Sequence, residues 1–379
     1  MATKYKKRKD GRYLVQVQIG IQDNGRPKYK NIYGYTIKEL EDKSAVFRQE
    51  LEKGIIIDDQ GLTVETWALR WLEAYKSGKE YNTIKMYRDI IRVHIIPGIG
   101  HYKLKELKAH HIQEMINQKV SKGLTRTIEK IYLTINQMLE QAVKNEYIYK
   151  NVAKNIVLPK KVKIKKRALT EQEKGYVFSA DFSDKEKAYV YLLLMTGLRK
   201  GESLALLKTD IDLNKKTVTV NKSLIVKGNR AEIKYSPKTD AGYRVIPIPD
   251  TAISALKSYL SNSNSIYVFP TAHAKLMTNS GFRYFWSKII DKLNVAAGGG
   301  KHNGLMAKAL APGITPHMFR HTYATSLYYS GVDIKTAQYL LGHSSIKMTM
   351  DIYTHLDADK NVSAADKLNA FYEHAIASK

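Results

Sequence analysis

The sequence predicts a multidomain α+β chain: a small β-β-α unit at the N-terminus, an all-helical domain, and a mixed, mainly helical domain with a small antiparallel sheet. Three observations carry this reading. The 379 residues exceed one ordinary domain, and that length favours two or three. Period-two alternation near the N-terminus gives way to long stretches of helical period. A basic run, Val157 to Thr170, then separates a purely helical pattern from a mixed one.

In the first unit, residues 1–55, Tyr13, Val15, Val17 and Ile19 alternate with polar residues, the pattern of a half-buried strand. Asn24-Gly25 supplies a turn, and "KYKNIYGY" reads as a second strand. Thr36 with Glu39 forms a capping-box pattern that opens a helix, and Gly54 closes it. The strands carry Lys6, Lys7, Arg8, Arg12, Arg26, Lys28 and Lys30, a basic face sized for a DNA groove.

Residues 61–155 are helical throughout. Trp67, Trp71, Leu72 and Tyr75 fall at helix spacing, as do Ile84, Tyr87, Ile91 and Ile95, and the tryptophans belong to a core. Pro97-Gly98 and Gly100 are expected to break the chain. Six of the nine residues from Pro159 to Arg167 are cationic: Lys160, Lys161, Lys163, Lys165, Lys166 and Arg167. Such a run at 156–168 fits a linker that tracks phosphates. From 169 onward, helices run through "KEKAYVYLLLMTG", "TAISALKSYL", "GFRYFWSKIIDKL", "RHTYATSLYYSG" and "DIKTAQYLLG". "KTVTVNKSLIV" reads as a strand, and "EIKYSPKTDAGYRVIPIP" as two strands joined at Thr239 to Gly242. The Gly-rich stretch 296–313 reads as a long surface loop.

Charge is the dominant global feature. There are 62 Lys and Arg against 36 acids, a net of +26, which points to a polyanionic partner and to nucleic acid above all. No long apolar run predicts a membrane span, and the basic start leads into no apolar stretch of a secretory signal. Zero cysteines exclude disulfides and thiolate chemistry and suit a reducing cytoplasm.

On a nucleic acid, two-metal chemistry needs spaced carboxylates. Asp181, Asp184, Asp210 and Asp212 stand instead in helix-start or turn contexts. A Walker-type phosphate loop is absent. The remaining route is phosphoryl transfer without metal or other cofactor, with cations stabilising the reacting phosphate. Arg199 stands just past a helix end, Lys238 beside a turn, and His317 and Arg320 on one face of a helix start.

Taken in order, these fragments closely resemble the catalytic pattern of the tyrosine recombinase (phage integrase) family. That pattern is an Arg in a "TGLR..E" motif, a Lys in a β-hairpin, an H-x-x-R box, "LGH", and a Tyr about ten residues later. Arg199 with Glu202, Lys238, His317 with Arg320, His343 and Tyr353 fill every position, over Leu169 to Leu356. The resemblance extends to the integrases of conjugative transposons and prophages. It implies an arm-type DNA-binding domain at 1–55, a SAM-like core-binding domain at 61–155, and a catalytic domain at 169–379 with a C-terminal tail helix.

What the resemblance implies for activity is a metal- and ATP-independent strand transferase that integrates and excises a mobile element. Tyr353 attacks a phosphodiester. Arg199, Arg320, His317 and His343 hold the phosphate, Lys238 protonates the leaving 5′ oxygen, and Glu202 positions Arg199. A tyrosine ionising at about 10 needs that cationic pocket to attack at neutral pH. Implied partners are double-stranded DNA at core and arm sites, three further copies in a homotetramer, an excisionase and a DNA-bending protein, in a bacterial cytoplasm. Two alternatives are a type IB topoisomerase-like enzyme and a DNA-binding regulator without catalysis. The arm-like unit argues against the first, and the six filled positions against the second.

Overall fold

The computed structural model describes residues 5–21, 26–52, 61–160, 167–235, 242–302, 305–306 and 313–354. The chain divides into two compact units, 1–164 and 165–379.

In the first unit β1 (Tyr13–Ile21) and β2 (Pro27–Gly34) pair antiparallel, with Val15 opposite Ile32 and Val17 opposite Lys30. Val17 is buried while Gln16 and Gln18 face solvent, as period two requires. Helix α1 (Ile37–Glu52) covers the pair through Leu40. A Cβ on Gly34 would lie 2.7 Å from the Leu40 nitrogen, so only glycine lets strand and helix meet. Thr36 accepts from the Glu39 N–H at 3.1 Å, and the Glu39 carboxylate reaches back to the Tyr35 N–H at 2.8 Å. Asn24-Gly25 and Gly54 lie outside the described residues.

The basic residues are placed differently from the sequence reading. Of Lys6, Lys7, Arg8, Arg12, Arg26, Lys28 and Lys30, only Lys28 and Lys30 lie in a strand. Gly11, at φ +80°, turns the chain back: its N–H donates to Arg8 O at 3.1 Å and the Arg8 N–H to Arg12 O at 2.8 Å. Lys7 thereby bridges to Tyr13, and Arg8 and Arg12 stand at the two ends of the turn rather than on a strand face.

The helical part contains α2 (Val64–Lys76), α3 (Tyr81–Ile90), a π-helical turn at Ile91–Ile95, α4 (Ile96–Ile99), α5 (Ala109–Ser121) and α6 (Thr125–Lys144). Trp67 and Trp71 are core residues, and Trp67 Nε1 donates to Met138 O at 2.9 Å. Pro97 does not break the chain as expected. The π-helical turn shifts the bonding register, with Ile96 N–H reaching back to Ile91 O, and Pro97 enters at the start of α4 where its missing donor matters least.

The second unit opens with α7 (Glu171–Ser179), capped by Thr170, and α8 (Asp184–Thr196), buried on nearly every face. Then come α9 (Lys200–Ser203), β3 (Ile211–Asp212), β4 (Thr217–Val220), β5 (Ser223–Lys227), β6 (Arg230–Lys234) and β7 (Arg244–Pro247). Helices α10 (Asp250–Ser261) and α11 (Asn279–Ala296), the short pair β8 (Lys301–His302) and β9 (Leu305–Met306), α12 (Pro316–Tyr329), α13 (Ile334–Leu341) and α14 (Ile346–Tyr353) complete it. Tyr189 on α8 meets Phe269 at 5.0 Å and Phe285 at 5.2 Å edge-on, the aromatic centre of the core.

Strand pairing corrects the reading in two places. β6 does not pair with β7: it closes a hairpin with β5 through Gly228 (φ +58°), while β7 joins β4 in a sheet ordered β3-β4-β7. The single strand read through "KTVTVNKSLIV" is therefore two strands in two sheets. The stretch 296–313 contains the β8–β9 pair. The C-terminal tail helix that the resemblance implies lies outside the described residues. Among the described residues no helix is long and apolar enough to cross a membrane.

Candidate active site

Two helix ends organise the site. α8 terminates at Gly197, whose left-handed φ of +61° turns the chain so that Arg199 emerges as N-cap of α9. A Cβ on Gly197 would overlap the Tyr323 ring, so glycine is required twice over. α13 terminates at Gly342, also left-handed at φ +60°, and delivers His343.

A helix C-terminus leaves its last carbonyls unsatisfied and carries partial negative charge. Here three arginines take three consecutive ones. Arg244 Nε donates to Leu340 O at 2.9 Å, Arg320 Nη2 to Leu341 O, and Arg199 Nη2 to Gly342 O at 2.8 Å. Arg320 also donates from Nη1 to Gly197 O at 2.9 Å, so one buried guanidinium ties the ends of α8 and α13 together. Burial, and then the Arg199 charge, push Arg320 down to about 9, which leaves it protonated at neutral pH.

Glu202 is the carboxylate in this cluster. It is buried and accepts from Arg199 N (2.9 Å), Arg199 Nη1 (2.7 Å), Arg244 Nη1 (3.2 Å) and Arg244 Nη2 (2.7 Å). Burial raises its ionisation, but the Arg244 hydrogen bonds and the Arg244 and Arg199 charges outweigh that and hold it at about 2. The sequence reading placed Glu202 beside Arg199 and missed Arg244. A signal was present: in "YRVIPI" Arg244 is in phase with Ile246 on the buried face of β7 and with Ile248 just beyond it.

His343 is buried, with Nδ1 3.0 Å from Thr349 Oγ1. Burial first, then the charges of Arg320, Arg199 and Arg244, depress it to about 3, so it is a neutral imidazole at physiological pH. His317 is exposed at the start of α12, its ring 4.8 Å from His321. Tyr353, the last residue of α14, is treated differently from the expectation. Its hydroxyl is buried with no hydrogen-bond partner, and its ring packs 4.8 Å from Tyr328. Burial, and then the charge of Asp333, raise rather than lower its ionisation. The structure thus brings Arg199, Glu202, Arg320 and the chain around His343 together, and leaves the Tyr353 hydroxyl unbonded to any of them.

Lys238 lies outside the described residues. In the basic run Lys160 is exposed; Lys161, Lys163, Lys165 and Lys166 lie outside the described residues. Arg167, its side chain 42% exposed, forks onto Glu173 at 2.5 and 2.7 Å at the start of α7. In the N-terminal unit Arg12 forks onto Asp10 at 2.9 and 3.2 Å and stacks 4.7 Å from Tyr33, while Lys6, Lys7, Arg8, Arg26 and Lys30 are exposed. Among the described residues no group of three or more His, Asp or Glu is placed to hold a metal ion.

Residues 169–360 match the phage integrase family, and residues 63–120 match its N-terminal SAM-like domain. The chain belongs to the phage integrase family. It is a tyrosine recombinase. The recombinase is 30% identical to a tyrosine recombinase XerC-like protein of Caldanaerobacter subterraneus subsp. tengcongensis, over 98% of this chain and 99% of that one. It is 25% identical to the transposase from transposon Tn916 of Enterococcus faecalis, over 96% and 93%. The fold is shared with the Tn1549 transposon integrase in complex with transposon right end DNA, at 22% identity and TM-score 0.67, covering 81% of this chain and 100% of that one. It is shared also with lambda integrase, solved as a tetramer bound to a Holliday junction, at 18% identity and TM-score 0.60, covering 92% and 94%.

Proposed function

We propose that this recombinase integrates and excises a mobile DNA element, cutting and rejoining strands through a 3′-phosphotyrosyl bond to Tyr353. The observation that carries the reading is the cluster of Arg199, Arg320 and Arg244 around one carboxylate at the end of α13, beside His343. Three guanidiniums against one carboxylate leave surplus positive charge, which is what a phosphodiester in an in-line transition state requires.

The roles follow from position. Arg199, half-exposed, offers its outer edge to a non-bridging oxygen, and Arg320 supplies charge from beneath. With Nδ1 engaged by Thr349, His343 keeps Nε2 to donate to the same phosphate. The Tyr353 Oη–phosphorus bond forms as the phosphorus–O5′ bond breaks; the tyrosine proton passes to His317, and Lys238 delivers one to the departing 5′ oxygen. The phosphodiester's free energy stays in the phosphotyrosyl bond, so a second 5′ hydroxyl reseals the strand without a nucleotide. Because Tyr353 is stored with an unpartnered hydroxyl, DNA binding has to bring it to the arginines before attack.

The reading assigns residues 1–55 to arm-site DNA, 61–155 to core-site DNA, 156–168 to a basic linker and 169–379 to chemistry. Four copies act together on the paired sites, with an excisionase and a DNA-bending protein setting direction. A nicked duplex built on the repeat flanking the encoding element, incubated without metal, should trap a covalent protein–DNA adduct in the full-length protein and none in Tyr353→Phe. An adduct that persists in the variant, or one that requires magnesium, overturns the proposal.

A further inference from the structure

Arg244 is, with Arg320, one of two buried cations of the cluster. Its side chain is fully buried, at 0% exposure, on the inner face of β7. It spends its fork on Glu202 and its Nε on Leu340 O. Two guanidiniums therefore share one carboxylate, and the difference in their exposure separates their roles: the Arg199 side chain is 40% exposed.

We infer that Arg244 is a positioning residue for strand cleavage, the counter-ion that neutralises Glu202 so that the charge of Arg199 stays available to the scissile phosphate. The inference rests on the recombinase reading above. Without Arg244, Glu202 would keep side-chain hydrogen bonds from Arg199 alone, and more of the Arg199 charge would be spent on it, weakening that guanidinium's attraction for phosphate. With Arg244, Glu202 still fixes the Arg199 backbone and one edge of its guanidinium, while its negative charge is met from the buried side. The same residue fixes α13: Leu340 O, two residues before the Gly342 turn, is held from β7, which sets where His343 emerges. One buried side chain thus coordinates two phosphate-binding groups that lie on different elements.

Lysine cannot substitute fully, because a single ammonium cannot fork onto Glu202 and reach Leu340 O together. The test uses the full-length protein on the same nicked duplex, with DNA affinity, thermal unfolding and single-turnover strand cleavage measured for Arg244→Met and Arg244→Lys. Arg244→Met should bind DNA as the parent does yet cleave about 100-fold more slowly, the scale on which small misplacement of a catalytic group acts. Arg244→Lys should fall between the two. The distinguishing readout is a duplex whose scissile phosphate is replaced by methylphosphonate. That linkage carries no charge for Arg199 to neutralise, so most of the Arg244→Met loss should disappear on it. A loss equal on both linkages, parental cleavage in both variants, or unfolding of both, would overturn the inference. If the parent itself forms no adduct, the recombinase mechanism fails instead, so the two failures are distinct.

Discussion

His343 Nδ1 sits 3.0 Å from the hydroxyl of Thr349, six residues further along the chain, and both side chains are closed off from solvent. A neutral imidazole has one N–H, and its partner decides which nitrogen carries it. If the Thr349 hydroxyl donates to Nδ1, the proton sits on Nε2, the position from which the proposed mechanism has it donate to the phosphate. Thr349→Val should then slow strand cleavage by about 10-fold while DNA affinity holds, since one donor is mis-set rather than removed. Thr349→Ser should recover the rate. Equal rates in the valine variant and the parent would reject the arrangement.

Tyr353→Phe separates stability from chemistry. The hydroxyl is buried without a partner, and an unsatisfied buried polar group costs about 1–3 kcal/mol. Removing it should abolish the covalent adduct yet leave the folded state as stable as the parent or more so, which thermal unfolding would register. A destabilised variant would mean the hydroxyl is engaged.

The site also predicts an acid limit. His343 is depressed from 6.5 to about 3 on folding, and Glu202 from 4.5 to about 2. Between each pair of values the unfolded chain binds more protons than the folded one, so stability rises with pH. The His343 contribution is complete above 6.5 and declines toward about 3; that of Glu202 is complete above 4.5 and declines toward about 2. Denaturant unfolding at stepped pH should show both windows. His343→Gln should flatten the slope between pH 6.5 and 4.5, and a slope unchanged there contradicts the assignment.

Gly197→Ala tests the turn that holds Arg199 and Arg320. The position has φ +61°, a Cβ would overlap Tyr323, and the Gly197 carbonyl is an Arg320 acceptor. Strain and overpacking together should destabilise by about 2–4 kcal/mol. Cleavage should fall even at temperatures where the variant stays folded.

The N-terminal turn makes a separate prediction about salt. Lys6, Lys7 and Arg8 are exposed together ahead of β1. Replacing all three with alanine should reduce the slope of log affinity against log salt for arm-site DNA by about 2 to 3, since each phosphate contact contributes about 0.9. An unchanged slope would place the arm contacts elsewhere.

How much was legible in the sequence varied with the range of the interaction. α8 and its stop at Gly197 were readable because a left-handed C-cap is a local property of one glycine. The first hairpin and α1 were readable for the same reason: alternation and capping act over a few residues. The partner of β6 was not, because "EIKYSPKTDAGYRV" looks like a hairpin locally, while β6 pairs back onto β5 and β7 extends the β3–β4 sheet. Pro97 misled because its effect depends on whether the preceding turn is α or π.

The sequence by itself determined which residue types stand in the ordered series Arg199, Glu202, His317, Arg320, His343 and Tyr353, and with them the family. Only the tertiary structure decided that Arg244 belongs among them, that Arg167 pairs with Glu173, and that Tyr353 rests with a raised ionisation beside Tyr328. The physical reason is common to all three. A side chain's charge and availability depend on what has been desolvated around it, and the groups that do so come from elements far apart in the chain. Arg244 and Leu340, 96 residues apart, meet at one helix end.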